Sequence, residues 1–140
     1  PYQQARKTLD VYTELLGNPT LESELVAAVR RGVRVRLIAP GTVNNGSEPI
    51  QQTQARSLAQ LKAAGVVVRV SGPGFDYQHP YMHARAAIVD GRQAYLGSVS
   101  LSPDSITFNR EAGMYLSDKA SIRKLADQFA LDFNSLATPP

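Results

Sequence analysis

Apolar runs separated by turn-forming residues divide the 140-residue chain into short strands and longer helices. Short apolar or β-branched runs predict three strands in the first half, at residues 8–14, 33–38 and 66–70. Between them, apolar residues at helical spacing predict two helices, over about 21–31 and 49–64. This alternating order requires parallel strands joined by right-handed crossovers, so the first half of the chain predicts an α/β fold.

The second half predicts a buried strand followed by a hairpin. Residues 84–89 are nearly all small or β-branched, so the segment around His83 is expected to be a strand buried on both faces. Asp90-Gly91 is a strong two-residue turn signal, which predicts an antiparallel return through 93–97. The remaining elements are a strand and an amphipathic helix, at about 112–116 and 122–133. Together the elements predict one α/β domain over residues 1–140, with a mixed, largely parallel sheet and helices on both faces.

The composition is that of an ordinary folded domain, with 43% hydrophobic and 19% charged residues. The net charge is +3, and Lys and Arg are scattered along the sequence, so the sequence does not indicate a nucleic-acid footprint. The absence of cysteine excludes disulfides and thiolate metal sites and leaves the cellular compartment undetermined. No apolar run reaches membrane-spanning length, so we expect no stable membrane insertion by this segment.

Two polar side chains interrupt the apolar run around residue 85. Because side chains alternate along a strand, His83 and Arg85 are expected to point the same way. An imidazole beside a fixed positive charge offers a nucleophile or base suited to attack on an anionic phosphorus centre. Ser98 and Ser100 alternate in the same manner and could donate hydroxyl hydrogen bonds to a phosphate.

These residues resemble the pattern of the phospholipase D superfamily, which is His-x-Lys-x4-Asp, then Gly-Ser-x-Asn, then Asn-x-Glu. The matching residues are His83, Arg85 and Asp90, then Gly97, Ser98 and Ser100, then Asn109 and Glu111. Two positions depart from the pattern, because Arg85 stands in place of Lys and Ser100 in place of Asn. The resemblance covers nearly the whole chain and implies the same α/β architecture.

The resemblance also implies roles for these side chains. His83 would be the nucleophile that forms a phosphohistidine intermediate, and Glu111 the carboxylate that hydrogen-bonds to its second ring nitrogen. Arg85 would bind the non-bridging phosphate oxygens, and Asp90 would complete the catalytic set. The substrate-binding candidates are Ser98, Ser100 and Asn109.

Structural interpretations stay open beside these roles. Arg85 could instead form an ion pair with Glu111 or Asp90. The hairpin turn is a sufficient reason for Asp90, and Asn109 could be a turn residue. If Arg85 does bind phosphate, Lys at this position is expected to support turnover at least as well, because it restores the compact charge of the family pattern.

The segment before His83 carries other candidate residues. His79 lies four residues upstream, but Pro80 argues against a helix there and no cysteine could complete a ligand set. We therefore predict neither a metal nor a cofactor. Phe75, Tyr77 and Tyr81 could line a substrate entrance, although aromatic residues in such a loop more often pack against the domain.

The resemblance implies a phosphodiesterase that hydrolyses or transfers phosphodiester bonds in phospholipid or nucleic acid. The alternative is a catalytically degenerate domain that serves dimerisation or binding. The family pattern uses two such motifs, so the expected partner is a second phospholipase D-like half, either upstream in the same chain or in a homodimer. The chain begins at Pro1 in a partial helix and ends at Pro139-Pro140, so we expect one half or a fragment of a longer protein.

Overall fold

The computed structural model describes residues 2–72 and 81–138, which form a seven-stranded mixed sheet with helices on both faces. The strands are β1 (Thr8–Tyr12), β2 (Arg34–Pro40), β3 (Val67–Ser71), β4 (Ala86–Val89), β5 (Gln93–Gly97), β6 (Gly113–Leu116) and β7 (Ala137–Thr138). The α-helices are α1 (Pro19–Arg30), α2 (Glu48–Ala63), α3 (Pro103–Thr107) and α4 (Lys119–Leu131). A 3-10 turn (Tyr2–Gln4) precedes β1, and a π-helical turn (Asp132–Leu136) follows α4.

The sheet has the strand order β6-β5-β4-β1-β2-β3-β7. Strands β1, β2 and β3 are parallel, as the alternating pattern predicts, and the remaining pairs are antiparallel. The parallel strands end together at Tyr12, Pro40 and Ser71, at what we call the carboxyl edge of the sheet. Because β4 runs antiparallel to β1, the chain enters β4 at this same edge.

Two apolar layers hold the helices against the sheet. On one face, Leu25 of α1 and Leu58 of α2 pack against alternate residues of the strands, such as Leu9 and Leu37. On the other face, side chains of α4 and its π-helical extension pack against the strands, the buried residues of this layer including Tyr12, Ile38, Ile88, Ile122, Phe129 and Phe133. Burying each side chain of this size stabilises the folded state by roughly 1.5–3 kcal/mol. The predicted α/β fold with helices on both faces is confirmed.

The strand predicted around His83 begins later than expected. Ala86 is opposite Tyr12, the last residue of β1, so upstream of Ala86 the chain has no neighbour in β1 to pair with. His83 therefore lies in the loop before β4, and its side chain is 65% exposed. The prediction that His83 is buried on both faces of a strand is wrong.

The predicted hairpin after β4 is confirmed. Asp90 and Gly91 have φ angles of 53° and 62°, and β4 and β5 pair antiparallel on either side of them. The turn lies at the edge of the sheet opposite the carboxyl edge. There the Asp90 carboxylate accepts hydrogen bonds from the backbone N–H groups of Arg6, Lys7 and Thr8, at 2.7–3.2 Å.

Candidate active site

The loop after β1 and the loop before β4 meet at the carboxyl edge and bring a carboxylate against His83. Glu14 Oε2 lies 3.3 Å from His83 Nε2, and Glu14 Oε1 accepts a hydrogen bond of 3.1 Å from the Tyr81 hydroxyl. The Glu14 side chain is 12% exposed, against 65% for His83. An accessible imidazole therefore rests against a largely buried carboxylate at the edge where α/β proteins commonly bind ligands.

Each nitrogen of the Arg85 guanidinium makes a hydrogen bond in this cluster. Nε donates to Ser100 Oγ at 2.7 Å, Nη1 donates to the His83 carbonyl oxygen at 3.1 Å, and Nη2 donates to Glu14. The same guanidinium lies 3.3–3.4 Å from both ring nitrogens of His83. His83 and Arg85 are therefore adjacent as predicted. The carboxylate that pairs with Arg85 is Glu14, so the alternative ion pair with Glu111 or Asp90 is wrong.

The two residues that depart from the family pattern, Arg85 and Ser100, are hydrogen-bonded to each other. Ser100 is 1% exposed, its hydroxyl accepts from Arg85, and its backbone N–H donates to Ser105 Oγ at 3.2 Å. The donor to Ser100 is Nε, which lies at the position along the side chain where Lys has a methylene group, so Lys offers no donor at that point. This contact changes the expectation for Arg85→Lys. The substitution restores the compact charge but leaves the buried Ser100 hydroxyl without its donor.

Glu111 forms a second group of polar residues. It accepts hydrogen bonds from the Ser98 hydroxyl and, at 3.4 Å, from Asn109 Nδ2. Hydrogen bonds from Ser98 and then Ser105, with a smaller contribution from the positive charge of Arg85, lower the pKa of Glu111. Ser105 also accepts from the backbone N–H of Ser100, so this group is continuous with the Arg85 cluster. The predicted hydrogen bond between His83 and Glu111 is absent from the described residues, and Glu14 is the carboxylate beside His83.

Backbone constraints place the residues of both groups. Gln54 of α2, 1% exposed, donates to the carbonyl oxygens of Glu14 and Pro40 at 3.0 and 2.9 Å and accepts from the Leu16 N–H at 3.0 Å. It therefore ties the end of β1 to the end of β2. At the neighbouring strands, the ring of Tyr95 lies across Gly97 and Gly113, where a Cβ atom on either glycine would collide with it. This contact explains why the block that carries Ser98 begins with glycine.

Asp90 lies apart from the other candidate residues. Burial alone would raise the pKa of Asp90, but the hydrogen bonds from Thr8, Lys7 and Arg6 outweigh that effect and lower it. These contacts lie at the opposite end of β4 from His83, so the structure does not bring Asp90 together with the other candidate residues, and we interpret its role as structural. The residue ties the turn after β4 to the start of β1.

The aromatic loop is described only from Tyr81 onward. Tyr81 joins the site, donating to Glu14 and accepting from the Asn44 N–H at 3.1 Å, and burial is the main cause that raises its pKa. Phe75, Tyr77 and His79 lie outside the described residues. Over residues 2–72 and 81–138, no group of three or more His, Asp or Glu side chains is arranged to hold a metal ion. Within the same residues, no helix combines the length and apolarity needed to cross a bilayer.

The fold separates charges that are scattered along the sequence. The acidic residues of the carboxyl edge, or of elements that begin there, are Glu14, Glu22, Glu48, Asp104 and Glu111. Exposed basic residues collect at the opposite edge, namely Arg6, Lys7, Arg31, Arg34 and Arg92. The basic residues are therefore scattered along the sequence, as expected, but several of them lie together at one edge of the folded sheet. Within residues 2–72 and 81–138, the charged residues named at the carboxyl edge are mostly acidic, with Arg85 and Arg110 as basic residues beside them.

Comparison with known proteins identifies the same resemblance along the whole chain. Residues 2–136 match the family model described as "Cardiolipin synthase, PLD-like domain". A probable cardiolipin synthase of Bacillus subtilis is 28% identical over 129 residues, covering 91% of this chain and 24% of that protein. A mitochondrial cardiolipin hydrolase of Chlamydomonas reinhardtii is 29% identical over 125 residues, covering 89% of this chain and 51% of that protein. This chain therefore spans about a quarter to a half of these relatives.

A solved structure supports the fold independently. The phospholipase D family member Nuc from Salmonella typhimurium superimposes with a TM-score of 0.83, covering 99% of this chain and 85% of that one. The two sequences are 18% identical over this superposition, so the likeness concerns the fold alone.

Proposed function

The chain belongs to the phospholipase D superfamily, and from this premise we propose that it cleaves or transfers phosphodiester bonds of phospholipids through a covalent intermediate on His83. The observation that carries the proposal is the exposed His83 imidazole, held between the Arg85 guanidinium and the Glu14 carboxylate. This arrangement supplies a nucleophile, a positive charge for phosphate oxygens and a carboxylate beside the imidazole. The nucleophile and the positive charge suit a two-step displacement at phosphorus, and the carboxylate can orient the imidazole.

In the first displacement, an imidazole nitrogen of His83 forms a bond to phosphorus and the bond from phosphorus to the leaving oxygen breaks. The leaving oxygen takes a proton from a general acid, which we propose lies on a second phospholipase D-like half. In the second displacement, the oxygen of water or of an alcohol attacks phosphorus and releases His83. Arg85 donates to the non-bridging oxygens in both steps, with Ser98 and Asn109 as further candidate contacts, while the buried Ser100 hydroxyl would act by holding Arg85.

Phospholipid is favoured over nucleic acid because the matching family model and the curated relatives reported above carry cardiolipin in their descriptions. The site supplies one local positive charge for a phosphodiester, on Arg85.

A second phospholipase D-like half would also cover apolar surface beside the site. The exposed apolar residues of α3, β5, β6 and their connections are Leu96, Ile106, Phe108, Met114 and Tyr115. Next to them lies a groove of about 540 Å³ lined by residues such as Tyr2, Leu21, Tyr95 and Leu101. Because the chain spans only 24% and 51% of the two curated relatives, we propose that another half of the same architecture packs here.

One observation favours the alternative of a degenerate binding module. All three guanidinium nitrogens of Arg85 already have acceptors in the chain, and one of these acceptors is the Glu14 carboxylate. If Arg85 stays paired with Glu14 when a phosphate enters, no positive charge is left to bind the phosphate oxygens. The domain would then retain the fold and the apolar interface without the chemistry.

The proposal is tested with the full-length protein and three substrates: phosphatidylglycerol vesicles, bis(p-nitrophenyl) phosphate and single-stranded DNA. We expect phosphatidyl hydrolysis or transfer that His83→Asn abolishes, and little cleavage of DNA. Arg123→Ala serves as a control that should keep both the fold and the activity, because Arg123 is 85% exposed on α4 and lies outside the site and the apolar surface. Absence of turnover on all three substrates, with the protein folded, would support the binding module instead.

A further inference from the structure

We infer that Glu14 is the positioning residue for His83, the role that the family resemblance gives to Glu111; this inference rests on the proposed function. Glu14 lies outside all three blocks of the family pattern, 69 residues before His83 in the sequence. Its carboxylate is the one that contacts the imidazole among residues 2–72 and 81–138. Glu111 is instead occupied by Ser98, Ser105 and Asn109.

The hydrogen-bonding groups around His83 determine which ring nitrogen carries the proton. An ionised carboxylate only accepts hydrogen bonds, and a guanidinium only donates them. Nε2 lies 3.3 Å from both Glu14 Oε2 and Arg85 Nη2, while Nδ1 lies 3.4 Å from Arg85 Nη1. The guanidinium therefore faces both ring nitrogens, and the Glu14 carboxylate distinguishes them, because it lies beside Nε2. A proton on Nε2 can be donated to Glu14, whereas a proton on Nδ1 would face a guanidinium that only donates, so we infer that Nε2 carries the proton.

The setting of Glu14 supports a positioning role. Its backbone carbonyl is fixed by Gln54 and its other carboxylate oxygen by Tyr81, so the carboxylate is held from several sides. The imidazole is 65% exposed, so fewer protein groups surround it than surround Glu14. A carboxylate fixed in this way can set the tautomer and the orientation of the ring beside it.

The same carboxylate can stabilise the intermediate. When the unprotonated ring nitrogen forms its bond to phosphorus, the leaving oxygen departs with the bonding pair and the imidazole becomes cationic. The remaining ring N–H then donates to Glu14, whose negative charge faces the new positive charge. Arg85, released from Glu14, donates to the phosphate oxygens, so the charges in the site remain paired through the step.

The first test reads the tautomer directly and needs no turnover. In the full-length protein, the ¹⁵N imidazole signals of His83 are identified as those lost in His83→Asn, and those of His79, the other histidine of residues 1–140, as those lost in His79→Gln. For the neutral ring we expect the proton on Nε2. Glu14→Gln should move both signals toward the averaged values of exchanging tautomers, whereas Glu111→Gln should leave them in place. Averaging in Glu111→Gln, or unchanged signals in Glu14→Gln, would overturn the inference.

The second test uses turnover of phosphatidylglycerol by the full-length protein. Glu14→Gln keeps an acceptor for Arg85, so we expect folding to be retained while kcat falls on the order of 10²-fold or more with little change in KM. Glu14→Asp should restore part of the loss. An active wild type with equal kcat in Glu14→Gln would refute the positioning role. A wild type without activity would refute the proposed function, while the ¹⁵N signals would still decide the role of Glu14.

Discussion

The clearest quantitative prediction concerns Asp90, which the family pattern places in the catalytic set and the structure places at the opposite end of β4. We expect Asp90→Ala and Asp90→Asn to lower stability and to leave kcat per folded molecule unchanged. In the wild type, the carboxylate accepts from three backbone N–H groups at 2.7–3.2 Å. Removing it would leave the chain before β1 without its anchor to the hairpin.

The magnitude follows from how exposed these hydrogen bonds are. A hydrogen bond to a charged group contributes about 1.5–3 kcal/mol when water cannot replace it. Of the donors, the N–H of Thr8 is partly buried, whereas those of Arg6 and Lys7 are exposed and water can replace their acceptor. We therefore expect Asp90→Ala to cost roughly 2–4 kcal/mol, including roughly 1 kcal/mol for holding Ala at positive φ. Asp90→Asn should cost about half as much, because Asn tolerates positive φ and keeps one acceptor oxygen.

The effect should also depend on pH. The pKa of Asp90 is lowered in the folded state, so its stabilising contribution is complete above the unfolded value of about 3.9 and is lost as the pH falls through the folded value. The difference in the free energy of unfolding between the wild type and Asp90→Asn should accordingly become smaller at acid pH. The assay is urea unfolding followed by circular dichroism across this range, with Asp90→Gly to separate the cost of the φ angle. A stable Asp90→Asn protein with kcat reduced on the order of 10²-fold would refute the structural role.

Three other substitutions test the site. Arg85→Lys alone should lower turnover of the full-length protein, because Ser100 loses its donor, and adding Ser100→Asn should recover much of the lost turnover. Independent, additive losses in a double-mutant cycle would contradict the coupling between Arg85 and Ser100. Gln54→Leu should lower the free energy of unfolding, measured in urea, by roughly 2–4 kcal/mol and should lower kcat, because buried backbone groups lose their hydrogen-bond partner. Equal losses in Gln60→Leu, on the exposed side of α2, would count against this reason. In the wild type, the Glu111 carboxylate contributes stability above the pKa that it has in the unfolded chain, and this contribution is lost as the pH falls through its lowered pKa in the folded state. Glu111→Gln should remove the contribution, and an unfolding profile in acid that matches the wild type would contradict this prediction.

Local patterns were sufficient for the parts of the fold that local chemistry determines. The positive φ angles at Asp90 and Gly91 are a property of two adjacent residues, so the hairpin could be predicted from the dipeptide. The parallel order of β1, β2 and β3 follows from alternating strands and helices. The adjacency of His83 and Arg85 also followed from their spacing, although the strand that was expected to carry them starts only at Ala86.

Contacts between distant residues explain what the sequence could not provide. Asp90 reaches backbone groups 82–84 residues away, and a turn signal says nothing about such partners. Glu14 was the last residue of a predicted strand, and its position beside His83 depends on the pairing of β1 with β4. One signal was present for Gln54, because a Gln on the apolar side of an amphipathic helix must hydrogen-bond when buried.

The central claim is that His83 is the nucleophile, and trapping the intermediate tests it most directly. Full-length protein would be mixed with short-chain phosphatidylglycerol, quenched within the first turnover under conditions that preserve phosphoramidates, and analysed by peptide mass spectrometry. We predict a phosphatidyl adduct on the peptide that contains His83, a lower yield of it in Glu14→Gln and none in His83→Asn. Turnover that proceeds with no adduct on this peptide, or with the adduct on another residue, would contradict the claim.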